Sequence, residues 1–134
     1  MPLLSRLFIR TSLIYLLAGA LLGGTLLWSK GTPPAFNVWV LLAAHIPLML
    51  SGWLVCLTLG VAYWILPRSG SRRPRAWLAV LAYAGINAGL LLIVAQPWSG
   101  EGSLGTIGSA LLSLGALAFA GHAWPRVKPS VYER

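Results

Sequence analysis

The chain has 134 residues, 57% of them hydrophobic and only 9% charged, with a mean hydropathy of +0.78. That leaves too little polar surface to cover a soluble domain. Ten Lys and Arg against two acids give a net charge of +8, yet the charges fall between and beyond the apolar runs, where they act as topology signals rather than as a nucleic-acid face. The single cysteine, Cys56, lies inside an apolar run, so neither a disulfide framework nor a cysteine metal cluster follows.

About 20 apolar residues cross a bilayer core, so the sequence predicts four spans in one membrane domain. The first, residues 11–28, follows Arg6 and Arg10. It reads as a span rather than a cleaved signal peptide, because Trp28, Ser29 and Lys30 follow it where a small-x-small site would stand. A loop rich in Gly and Pro leads into the second span, residues 38–66, which carries Trp39, Tyr63 and Trp64 toward its ends and is bounded by Pro67. A basic connector with Arg68, Arg72, Arg73 and Arg75 precedes the third span, residues 77–96. A short loop with Glu101 then leads to the fourth, residues 104–124, and the tail adds Arg126, Lys128 and Arg134.

An even number of spans puts both termini and the basic connector on one side, with nine of the ten basic residues, and leaves Lys30 alone on the other. The positive-inside rule then predicts an all-α integral membrane four-helix up-and-down bundle, residues 1–134, with both termini cytoplasmic in a bacterial-type inner membrane. The long continuous runs do not alternate in polarity as β-barrel strands do. Gly19 and Gly23, and Gly85 and Gly89, stand four apart and predict close helix packing. The connector arginines also suit anionic lipid headgroups, at about 1 kcal/mol each, although topology alone accounts for them.

Catalytic machinery is hard to assemble from this composition. The sequence holds no aspartate, and Glu101 and Glu133 both fall outside the spans, so a Ser-His-Asp triad, a carboxylate pair and an acidic proton relay all lack their residues. Phosphate-cradling glycine loops are missing too, and the scarcity of polar residues within the spans argues against small-molecule transport. No catalytic residue is assigned.

Histidine is what remains. His45 lies about seven residues into the second span, roughly 10 Å below the outer surface at 1.5 Å per residue. In hydrocarbon an imidazole needs a partner, and Asn87, entering from the other side on the third span, reaches a similar depth. Two readings follow. Either His45 pairs with Asn87 or with a helix carbonyl and holds helices together, or it is an axial ligand to a heme iron, with Asn87 orienting its free nitrogen. His122 stands near the end of the fourth span beside Trp124, Pro125 and Arg126, and reads as an interfacial anchor, almost a membrane thickness from His45. Met49, one turn along from His45, and Cys56, deeper still, read as packing residues.

The segment from His45 through Pro47, Met49, Gly52 and Trp53 to Gly60, Tyr63, Trp64, Pro67 and Arg68 resembles the second transmembrane helix of heme-copper oxidase subunit I, most closely the nitric oxide reductase branch and short subunit-I-like membrane proteins. The resemblance covers about 24 of the 134 residues. It implies that His45 is a heme b ligand and that the chain is a small electron-relay or gas-sensing protein beside a respiratory complex. The further histidines that hold copper and a high-spin heme in that family have no counterparts here, so the resemblance implies no copper and no oxidase activity for this chain alone. Pro47 stands where short relatives often carry a second histidine. The missing axial ligand is then supplied by a homodimer sharing one heme through both copies of His45, by a larger complex, or not at all. The alternative is a structural or assembly subunit of a membrane complex that kept the helix pattern without the cofactor. Lipid is a partner in either case, and nucleic acid in neither.

Overall fold

In lipid, every backbone polar group must be satisfied within its own segment, so long apolar runs become helices. The computed structural model describes residues 1–32, 37–67 and 75–127. Among them are four helices long and apolar enough to cross a membrane, Leu3–Trp28, Val38–Ile65, Ala76–Ser99 and Gly102–Arg126, and no strand. Successive helices run antiparallel, so Ser5, Gly60, Arg75 and His122 lie toward one end of the bundle and Lys30 at the other. Arg68, Arg72, Arg73, Lys128, Glu133 and Arg134 lie outside the described residues.

The helices overrun the sequence-predicted spans. The first begins at Leu3 rather than near residue 11, so Arg6 and Arg10 are helical. The third runs on through Pro97 to Ser99, and the fourth ends in a short 3₁₀ turn, Trp124–Arg126. Asn37 starts the second span by accepting the Trp39 backbone N–H through its side chain at 3.0 Å. Gly100, at φ 72, ends the third in the left-handed conformation that glycine adopts without strain.

The second span is not a uniform helix. Pro47 has no N–H to donate, and the next eight residues, Leu48–Val55, form a π-helix before α geometry resumes at Cys56–Ile65. The buried residues Ala44, Leu48, Gly52, Cys56 and Gly60 recur every fourth position. At 3.6 residues per turn such a row drifts by about 40° per step and leaves the core face within a few turns. The wider turns in the middle take back that drift and keep the row against the first and third helices. Gly52 sits in this stretch, and a methyl group there would lie 2.8 Å from the Tyr15 ring and 2.9 Å from Leu90.

The core is stacked in three layers along the bundle. At the terminal end, Tyr63, Ala79, Ala82 and Phe119 pack together; Phe8, Cys56 and Ile86 form the middle layer; Tyr15, Leu48 and Leu90 form the layer toward Lys30. The buried stripe of the first helix, Ser5, Phe8, Ser12, Tyr15 and Gly19, keeps heptad-like spacing and is mostly small or polar. Ser5 donates to the Gly60 carbonyl at 2.6 Å, and the Thr11 and Tyr83 hydroxyls share a hydrogen bond of 2.8 Å. Interhelical bonds of this kind contribute about 0.6 kcal/mol each in a membrane.

The third and fourth helices meet differently, backbone against backbone. A methyl group at Gly89 would lie 2.5 Å from the Gly108 carbonyl oxygen and 2.7 Å from the Leu112 nitrogen. Small residues at this seam gain dispersion contact that any side chain would forfeit. Outward, the bundle shows lipid-compatible surface: Trp28, Trp39 and Trp98 are exposed at the Lys30 end and Trp64, Trp77 and Trp124 at the other, an arrangement that matches the two aromatic belts of a membrane protein.

Candidate functional site

His45 projects from the second helix onto the first, where Gly23 leaves room for its ring. A methyl group at Gly23 would stand 2.9 Å from His45 Cε1. His45 Nδ1 lies 2.8 Å from the Gly19 carbonyl oxygen. A carbonyl only accepts, so Nδ1 carries a proton, and in that tautomer of the imidazole the lone pair stands on Nε2. Among the described residues Nε2 has no hydrogen-bond partner. A backbone carbonyl on one imidazole nitrogen is the arrangement that fixes the tautomer of a metal-ligating histidine.

The ring lines a cavity of about 410 Å³ between the first two helices at the Lys30 end, walled by Leu26, Leu27, Val38, Trp39 and Leu42 and bordered by Ser29 and Lys30. That size falls within the about 300–1,000 Å³ usual for small-molecule sites. Lys30 is exposed and makes no ion pair among the described residues. On the opposite side of the same helix pair, a second cleft of about 430 Å³ is lined by Leu22, Thr25, Asn37, Val40, Leu41 and Trp98.

Asn87 is not the partner of His45. Its Oδ1 accepts from the Tyr15 hydroxyl at 2.7 Å, and its Nδ2 donates to the Tyr83 carbonyl, also at 2.7 Å. No hydrogen bond joins it to His45 among the described residues. Equal depth by helix rise is a one-dimensional estimate, and here the first helix takes both groups, Asn87 at Tyr15 and His45 one turn further on at Gly19. Asn87 ties the first helix to the third instead of orienting the imidazole.

His122 was expected as an interfacial anchor, but it is fully enclosed. Its Nδ1 lies 3.1 Å from the Arg75 carbonyl oxygen, and Arg126 Nη1 lies 2.7 Å from its Nε2. A guanidinium only donates, so Nε2 accepts and Nδ1 donates, a single neutral tautomer that satisfies both contacts. Arg126 Nε also donates to the Pro67 carbonyl at 2.9 Å, and Nη2 to that of Leu66. Both carbonyls lie just past the end of the second helix, Leu66 at its C-cap and Pro67 beyond it. Tyr63 stacks on His122 at 5.3 Å between ring centroids, and the Arg126 guanidinium carbon stands 5.8 Å from the Tyr63 centroid. Arg75 adopts a left-handed backbone conformation, φ 52, at the residue whose carbonyl receives His122. The group clasps the second, third and fourth helices at the end bearing the termini.

This clasp went unread in the sequence although one signal was there. His122 and Arg126 stand four apart, hence on one helix face, but their carbonyl partners are contributed by residues remote in the chain. Met49 and Cys56 are packing residues, as expected: Met49 lies over Gly19, and Cys56 is enclosed with Phe8 and Ile86. No three His, Cys, Asp or Glu side chains converge among the described residues. The chain matches no family model, no curated protein and no solved structure.

Proposed function

We propose that the chain is a small membrane protein binding heme b through His45, with both termini in the cytoplasm, relaying electrons or sensing a small gas beside a respiratory complex in a bacterial-type inner membrane. The observation that carries the reading is the spare Nε2 of a histidine held by the Gly19 carbonyl and lining an apolar cavity. The residues fit the group: an imidazole lone pair suits ferrous or ferric iron, and Leu26, Leu27, Leu42 and Trp39 offer apolar and aromatic surface for a macrocycle. The resemblance of residues 45–68 to the second helix of oxidase subunit I supports the same assignment. When bound, the group supplies one-electron chemistry. His45 would hold the iron, with the Gly19 carbonyl fixing the imidazole and Leu26, Leu27, Leu42 and Trp39 forming the apolar surface beside it. A second ligand, where there is one, would come from a homodimer sharing the group or from a larger complex.

The test is an absorbance spectrum of detergent-purified protein, before and after dithionite, with added hemin. Redox-sensitive b-type bands, lost in His45→Ala and kept in His122→Ala, are expected. Wild-type protein that stays colourless and unresponsive to hemin would defeat the proposal. Cysteine labelling in cells, in a chain with Cys56→Ser, checks orientation: Glu101→Cys is expected to react with an impermeant reagent and Arg6→Cys to be protected.

A second reading has its own observation. The His45 to Gly19 bond and the glycine seam between the third and fourth helices are complete as packing devices without any ligand. They suit a structural or assembly subunit, which predicts that His45→Gln leaves partner association unchanged.

A further inference from the structure

The first helix begins at Leu3, well ahead of the span read from the sequence, and this puts Arg6 and Arg10 on a rigid helix instead of in a tail. From Arg10 to the exposed Trp28 at the far end of that helix is about 27 Å, close to the about 30 Å of a bilayer's hydrocarbon core. With Trp28 at one boundary, Arg10 stands at the other and Arg6 one turn beyond it, the level of the lipid phosphates. Four residues apart, the two arginines share one helix face, and both are exposed. Neither guanidinium has a hydrogen bond or ion pair among the described residues, and Glu101, the one acid among those residues, lies at the opposite end of the bundle. Toward the membrane centre the same face continues through Leu13, Leu17 and Leu21, each half or more exposed. An arginine near a helix end reaches for water in any membrane protein, and a topology signal requires no more than that. Two arginines in register, with no carboxylate to neutralise them and an apolar stripe running from them into the membrane, match the outline of a phospholipid: anion at the boundary, hydrocarbon along the span.

We propose that Arg6 and Arg10 together hold the phosphate of one anionic phospholipid, such as phosphatidylglycerol, whose acyl chain lies along Leu13, Leu17 and Leu21. A guanidinium binds phosphate oxygens through forked pairs of hydrogen bonds, and two of them one turn apart on a fixed helix can close on a single phosphate. A zwitterionic lipid carries the same phosphate, but its own amine competes for it, so the site selects a headgroup of net negative charge. This surface is separate from the cavity on His45 and does not depend on what occupies that cavity.

Native mass spectrometry of the detergent-purified chain, titrated with phosphatidylglycerol or with phosphatidylcholine of the same acyl chains, counts the bound lipid and gives its affinity. Wild type is expected to bind one phosphatidylglycerol in preference to phosphatidylcholine. Arg6→Gln and Arg10→Gln should each weaken phosphatidylglycerol about fivefold and the double variant about 25-fold, the effect of about 1 kcal/mol per arginine, with phosphatidylcholine unchanged. The decisive variant combines Arg10→Leu with Leu7→Arg. It keeps the net charge and nearly the same depth but sets the two guanidinium groups on adjacent residues, which do not share a helix face, so it should bind phosphatidylglycerol as weakly as Arg10→Gln does. Wild-type affinity in that variant would show that diffuse charge is enough and would overturn the site, as would an undiminished preference for phosphatidylglycerol in the double variant. The deacylated headgroup, glycerophosphoglycerol, is expected not to compete at the concentration that saturates the lipid. Competition there would make the pair a site for free phosphate esters and overturn the lipid assignment. Thermal unfolding without added lipid, expected to be the same for all these chains because positions 6, 7 and 10 are exposed, separates lost binding from lost folding.

Discussion

The chain's two histidines sit at opposite ends of one bundle, and their surroundings are opposite in kind. At the terminal end, His122 uses both ring nitrogens, one on the Arg75 carbonyl and one on Arg126, and is closed off from its surroundings. At the Lys30 end, His45 uses one nitrogen, on the Gly19 carbonyl, and the ring borders a cavity. An imidazole with two committed nitrogens holds structure together, whereas one with only Nδ1 committed keeps Nε2 out of the packing. The two helix hairpins repeat the contrast. Gly85 and Gly89 face the backbone of the fourth helix, which leaves no space, while Gly19 and Gly23 face the side chains of Met49 and His45.

The largest expected effect is at the closed end. Arg126→Met takes the donor from the fully buried His122 acceptor, where an unsatisfied group costs about 1–3 kcal/mol, and from the part-buried bonds to the Leu66 and Pro67 carbonyls, which water can partly replace. A loss of about 3 kcal/mol is expected in unfolding measured in detergent, the buried acceptor supplying most of it, with hemin binding per folded chain unchanged. If Arg126→Met instead lowered the heme stoichiometry at unaltered stability, the division of labour between the two ends would collapse.

Next comes the seam. Gly89→Leu forces a side chain against the Gly108 carbonyl and Leu112 nitrogen, and overpacking of this sort costs about 1–3 kcal/mol. Gly19→Ala presses on the movable thioether of Met49 and reaches Leu48 Cβ at an ordinary 3.6 Å, so its melting temperature is expected to stay close to wild type. Equal losses at the two positions would show that the hairpins pack alike.

His45→Ala removes one interhelical bond, worth about 0.6 kcal/mol on average and up to about 1.7. Stability without hemin should barely change, and only the stabilisation gained by adding hemin should vanish. A large loss without hemin would move His45 into the structural class that His122 occupies. The smallest effect belongs to Tyr15→Phe, which keeps the ring in its layer and deletes the bond to Asn87, again about 0.6 kcal/mol. Because Asn87 serves the contact between the first and third helices, hemin affinity in Tyr15→Phe should match wild type.

The number of spans, their helical state and the membrane setting were legible in the sequence, because they depend on the length and composition of continuous segments and on the demand that backbone groups be satisfied locally in lipid. The glycine pairs were legible as sites of close approach for the same reason, being a property of spacing on one helix. What each glycine approaches was not: Gly89 meets backbone and Gly23 meets an imidazole only because of how the helices are rotated and which are neighbours. The π-helical stretch after Pro47 likewise answers a row of contacts spread over two other helices. Of the two partners the sequence allowed His45, the helix carbonyl and Asn87, the structure gives the carbonyl, since depth along an axis does not say toward which neighbour a side chain turns. The clasp around His122 escaped because Leu66, Pro67 and Arg75 offer only backbone carbonyls, groups every residue has, and the tertiary fold alone selects which of them a buried arginine and histidine will meet.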